Sequence, residues 1–170
     1  GIPMTLSGPG IEPSTNATPV SLTDLAATIE HAVHGEVSRP VNSWQSRPLH
    51  EFIDNADSER PVLSEYHDGG SPCGFFMLRK DRWKYVFFSE GHPSLLFDMK
   101  NDPRELVNLA DDAAHATILS ELREQLLQIL DPEAVNRQAF SDQAAMMERL
   151  GGMEAILALP SFNHTPIEQD

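Results

Sequence analysis

The chain has 170 residues, 40% of them hydrophobic, with 12 Lys and Arg against 26 Asp and Glu, for a formal net charge of −14. That length suits one domain, or a domain and part of another, with a core burying about 70% of the unfolded surface. The acidic excess argues against nucleic acid as a partner, because phosphate binding needs clustered Lys and Arg, and no apolar run approaches the ~20 residues of a membrane span.

In chain order, Ile2-Pro3-Met4-Thr5-Leu6 reads as a short buried strand running into the turn Ser7-Gly8-Pro9-Gly10. A chain opening on Gly1 and a single strand of this kind reads as the continuation of a longer polypeptide. Ser21 and Asp24 have the spacing of a capping box, and Leu22, Leu25, Ala26, Ile29 and Val33 follow at helical steps, with Gly35 as the stop. Residues 36–60 are polar and irregular apart from Trp44, Leu49, Phe52 and Ile53.

From Pro61 the period changes to that of strands. Val62–Tyr66 is one candidate, followed by the loop His67-Asp68-Gly69-Gly70-Ser71-Pro72. Phe75–Arg79 and Trp83–Phe88 flank the turn Lys80-Asp81-Arg82 as a hairpin, with Trp83, Tyr85 and Phe87 on one face and Lys84 and Val86 on the other. Leu95–Asp98 is a fourth strand. In the run that follows, Asp102 suits a helix cap, Pro103 the first helical position and Glu105 the third, so a helix is expected to start there.

Ile118, Leu119, Leu122, Leu126, Ile129 and Leu130 then form an apolar stripe on a charged helix, the natural cover for the sheet. Asp131-Pro132-Glu133 starts another helix, with Met146, Met147 and Leu150 near its end and Gly151-Gly152 beyond it. Leu159 to Pro166 reads as an extended arm.

Leu95-Leu96-Phe97-Asp98 with Asp102-Pro103, Glu105 and Asn108-Leu109-Ala110 strongly resembles a signature in the C-terminal part of the sulfatase branch of the alkaline-phosphatase superfamily. The resemblance extends in order over nearly all of residues 1–130. Gly1 to Ile11 is similar to the last core strand and its Gly-Pro-Gly turn, Ser21 to Ile29 to the next helix, and Pro61 to Tyr66 with Met77 to Val86 to the small C-terminal sheet. Two departures are visible: Ala27 stands where a proline is usual, and Asp81 where a turn glycine is usual. Leu130 to Val135, Ser141 to Gln143 and the extended arm resemble the longer C-termini of choline-sulfatase-like and phosphonate-monoesterase-like members.

The fold implied is α/β: the last strand and helix of the sulfatase core, then a four-stranded antiparallel sheet packed on a helix, then a helical tail. The corresponding divisions are 1–58, 59–130 and 131–170, the last a candidate oligomer arm. The function implied is that of the C-terminal part of a sulfate-ester hydrolase. Its partners would be the missing N-terminal core and a sulfated small molecule or glycan, with a homo-oligomer through the tail. Such enzymes use a formylglycine and a divalent metal, usually calcium. Those residues precede the segment resembling Gly1 to Ile11, so the resemblance assigns no catalytic residue and no metal ligand here, and no cofactor to this segment. The alternatives are a phosphonate or phosphate ester hydrolase of the same superfamily and a non-catalytic assembly module.

Glu65, Tyr66, His67 and Asp68 are the candidate rim of a substrate pocket, since the loop at this point in relatives can border it. The plain alternative is a turn with an exposed His and an Asp bonded to its own backbone. Cys73 is the only cysteine, so no intrachain disulfide or multi-cysteine zinc site exists; Gly74-Phe75-Phe76 after it does not match the family's Cys-x-Pro-Ser-Arg. His31 and His34 share a helix face but lack an evident third ligand. Arg79, Lys80, Arg82 and Lys84 form either a solvated hairpin tip or an anion-facing rim. Asn16 and Asn163 sit in glycosylation sequons.

Overall fold

A computed structural model describes residues 4–35, 46–67 and 70–158. Trp44, Asp68, Gly69, Asn163 and the arm from Leu159 to Pro166 lie outside the described residues. The elements are α1 (Thr23–His34), α2 (Glu51–Asp54), β1 (Val62–Tyr66), β2 (Phe75–Lys80), β3 (Trp83–Phe88), β4 (Leu95–Asp98), a 3-10 turn (Ala113–His115), α3 (Ala116–Ile129), α4 (Pro132–Arg149) and α5 (Gly152–Leu157).

The four strands form one antiparallel sheet in the order β1-β2-β3-β4, as expected for strands joined by short loops. Asp81 takes φ +45°, so the Asp at the hairpin tip supplies the left-handed residue a tight turn demands. The register sets Leu78 opposite Tyr85 and Phe76 opposite Phe87, and Tyr85 opposite Leu96. These side chains share the face that meets α3. Phe76, Leu78, Tyr85, Leu96, Leu122 and Leu126 make the central cluster, with Trp83, Phe87, Ile118, Leu119, Ile129 and Leu130 packed around it. The period-two and period-3.6 stripes therefore meet as the sequence implies. Burial also pushes the Tyr85 phenol up from its ordinary pKa.

Two expectations are corrected. Met4 to Leu6 carry no strand pairing; a strand is completed by a hydrogen-bonded neighbour, and none is offered among the described residues. The turn after it forms, with the Ile11 N–H donating to the Gly8 carbonyl at 3.2 Å and Gly10 at φ +78°. Second, Asp102-Pro103 does not start a helix. Asp102 accepts from the Val107 N–H at 2.9 Å, five residues on, and Glu105 adopts φ +57° while its carboxylate takes Lys84 Nζ at 2.5 Å. Asn108 Oδ1 accepts from the Leu96 N–H at 2.9 Å, and the Leu109 N–H donates to the Leu96 carbonyl at 2.8 Å. The segment is thus tied to the edge of β4, and these long-range bonds outweigh a cap worth ~1 kcal/mol. The actual cap is Asp112, whose carboxylate accepts from the Ala114 N–H at 2.9 Å.

Asp98, at the end of β4, binds Arg82 through Nε at 2.7 Å and also through Nη2. It accepts as well from the Lys100 and Asn101 N–H groups. The Arg82 hydrogen bond, helped by these amides, holds its carboxyl below the ordinary value of about 3.9. A depressed folded-state pKa contributes stability that is complete above the unfolded value and fades as pH falls below it. Urea midpoints should therefore drop between pH 5 and pH 3 by more in the wild type than in Asp98→Asn. Equal drops would contradict this linkage.

Candidate functional site

Asp24 and Arg60 join α1 to the sheet. Arg60 Nη2 and Nη1 donate to the two Asp24 carboxylate oxygens at 2.7 and 2.9 Å, with both side chains almost wholly buried. Asp24 also accepts from the Ser21 N–H at 2.7 Å and the Arg47 N–H at 2.9 Å. Ser21 Oγ faces the Thr23 N–H at 3.4 Å, and the Asp24 N–H donates to the Ser21 carbonyl at 3.0 Å. Only the Asp24 half of the predicted box therefore forms, and Leu22 stands at the cap without a side-chain bond. Gly35 closes the helix at φ +76°. On this helix the buried residues are Asp24 and Ala27, whereas Leu22, Ile29 and Val33 are 77%, 64% and 69% exposed. The apolar stripe points away from the chain's own core.

The candidate rim is divided by the pleat. Glu65 and His67 lie on the α3 side of the sheet, with His67 Nε2 3.3 Å from Glu65 Oε2. Tyr66 points to the opposite face and stacks on Phe75 at 4.9 Å. Asp68 lies outside the described residues. His67 is not a freely solvated loop residue. Its ring meets Phe76 edge-on at 5.3 Å, and Gln143 Nε2 of α4 donates to its backbone carbonyl at 2.8 Å.

Across the same loop, Asn136 Oδ1 accepts from the buried Gly74 N–H at 2.7 Å, and Asn136 Nδ2 donates to Glu90 Oε1 at 3.2 Å. A Cβ at Gly74 would come within 2.7 Å of His67 Nδ1 and 3.0 Å of Asn136 Oδ1, so glycine is required where β2 begins. Sequence reasoning missed Gly74, Asn136 and Gln143. The available signal was an asparagine inside a predicted helix, where it forms helix poorly unless its amide has a task.

The other candidates resolve into structural roles. Arg79 Nη1 donates to the Trp83 carbonyl at 2.9 Å, Lys80 pairs with Glu59 at 3.4 Å, Arg82 with Asp98 and Lys84 with Glu105. The basic cluster is thus occupied within the chain, and burial lowers the Arg79 pKa. The His31 ring lies against His50, 4.3 Å between centroids. Cys73 is buried, and its thiol is pushed up by burial and by the nearby Glu90 and Glu133 carboxylates, the reverse of an activated cysteine. The Asn16 amide nitrogen donates to the Phe52 carbonyl, so an attached glycan would compete with that bond. Among the described residues no three His, Cys, Asp or Glu side chains form a metal-binding group.

A four-stranded antiparallel sheet with helices is a mixed α/β architecture that matches the C-terminal region of sulfatases. No family model matches the chain. It is 33% identical over 112 residues to choline-sulfatase of Rhizobium meliloti, an alignment covering 65% of this chain and 22% of that protein. It is also 33% identical over 120 residues to arylsulfatase K of Gallus gallus, covering 64% of this chain and 22% of that one. A solved sulfatase candidate from Bacteroides thetaiotaomicron aligns at 25% identity and TM-score 0.50, covering 84% of this chain and 28% of that one. The chain is thus similar to sulfatases, consistent with the C-terminal portion of that family. It spans about a fifth of the length of the curated relatives it matches.

Proposed function

We propose that the protein carrying this chain hydrolyses sulfate esters, and that residues 1–170 complete its fold and border its substrate pocket without supplying the nucleophile or the metal ligands. The observation that carries this reading is the 33% identity to choline-sulfatase, held over 112 residues. The outward apolar face of α1 supports it independently: Leu22, Ile29 and Val33 gain stability only against a partner, and the upstream core of the same protein supplies one. In the whole enzyme a formylglycine would act as nucleophile and calcium would offset charge on the sulfuryl oxygens, both held by upstream residues. Within this chain, residues 1–58 would close the core, 59–130 form the C-terminal subdomain with Glu65, Tyr66 and His67 at the pocket rim, and 131–170 contribute to a homo-oligomer.

The test is to assay the full-length protein against choline sulfate, 4-nitrophenyl sulfate and a phenylphosphonate monoester, beside residues 1–170 alone. Sulfate turnover by the full protein, with none from the chain alone, is the expected result. Turnover of the phosphonate without either sulfate would replace the reading by phosphonate hydrolysis. Activity in neither class would favour an assembly module.

A further inference from the structure

Two side chains of α4 reach the loop after β1 from the same side, at its two ends. Gln143 holds the His67 carbonyl at 2.8 Å and Asn136 holds the Gly74 N–H at 2.7 Å. Asn136 is 2% exposed, and α4 is itself fixed at its first turn. Asp131 Oδ1 accepts from the Glu133 and Ala134 N–H groups at 3.0 Å, Glu133 accepts from the Glu90 N–H, and Ser89 Oγ reaches the Pro132 carbonyl at 3.4 Å. The first turn of α4, one turn before Asn136, is therefore tied to the end of β3.

The His67 ring shows the consequence. Its Nδ1 is buried without a hydrogen-bond partner, in a crevice lined by Cys73, Gly74, Asn136 and Phe140 with no room for a water-sized sphere. A buried nitrogen without a partner is an unusual arrangement, and it persists here because Phe76, Gly74 and α4 leave the ring little other space. Nε2 lies 3.3 Å from Glu65 Oε2, and an ionised carboxylate only accepts, so the N–H of this contact is on Nε2. That N–H points to the strand end beside Glu65, where the ring can donate to an oxygen.

We propose that Gln143 and Asn136 of α4 are positioning residues that hold His67 with its Nε2–H presented at the substrate rim, so that the helical tail sets the enzyme's selectivity among sulfate esters. The proposal rests on the reading that the β1 end borders the pocket. Gln143 is the better probe because it is partly exposed and its loss leaves no buried group within α4 unpaired. Gln143→Glu keeps the shape and removes the donor; Gln143→Lys restores one.

In the full-length protein, Gln143→Glu should raise KM for a sulfate ester on the order of tenfold, the worth of about one hydrogen bond, with kcat within about twofold and recovery in Gln143→Lys. Hydrogen exchange at the β1 amides and at Gly74 should quicken by a similar factor. Unchanged exchange in Gln143→Glu and in Asn136→Ala, which removes the oxygen that accepts from the Gly74 N–H, would overturn the brace. Faster exchange with unchanged KM for every ester would overturn its role in selectivity. Should the full-length protein turn over no sulfate ester at all, the functional reading fails and takes the selectivity role with it, while the exchange measurement still decides the brace.

Discussion

Asp24→Ala is expected to destabilise the chain by about 3–5 kcal/mol, the range for removing one partner of a buried ion pair. The magnitude follows from what remains behind. Arg60 would keep a buried guanidinium with only the Pro19 carbonyl at 3.0 Å and the Phe52 ring at 5.0 Å. The Ser21 and Arg47 N–H groups would each lose their acceptor. Arg60→Ala should cost a similar amount by stranding the carboxylate. Replacing both together, Asp24→Leu with Arg60→Met, should cost distinctly less than the sum, because an apolar pair of similar volume carries no desolvation penalty. Urea unfolding of the four proteins reads this directly. A single-substitution loss under about 1 kcal/mol would mean that water reaches the pair and that α1 is not fastened to the sheet through it.

How far the sequence could be read depended on the range of the forces involved. The sheet and α3 were legible because their alternations and the Leu122–Leu126 stripe are set by burial against one another within this chain. Asp131-Pro132 was legible because a cap is local, and the Asp131 carboxylate indeed accepts from the Glu133 and Ala134 N–H groups. Asp102-Pro103 carries the same local signal, yet the backbone there follows Asn108 onto β4 and Lys84 onto Glu105. Those partners lie 12 and 21 residues away, and no window of local propensity contains them. Glu65 and Tyr66 end β1 as the alternation implies, but the fastening of His67 by Gln143, 76 residues on, has no periodic signature. On α1 the stripe itself was legible, whereas its direction was not. A moment says that one face is apolar and leaves open which body it meets.

That direction gives the second large effect, one that changes with context. In the isolated chain Ile29 and Val33 are more than 60% exposed, so Ile29→Lys should shift stability by no more than about 0.5 kcal/mol, as surface substitutions do, and should improve solubility by breaking an apolar patch. In the full-length protein the same residue is proposed to be buried against the upstream core. Ile29→Ala should then cost about 2–4 kcal/mol through lost burial and the cavity left behind, and Ile29→Lys more, because a charge would enter without a partner. The comparison needs the urea midpoints of both variants in both lengths of protein. A small effect in each would mean that α1 faces water in the complete molecule. A large effect confined to the longer protein would mean that this helix joins the chain to the rest of a hydrolase, with Asp24 tying its other face to the sheet.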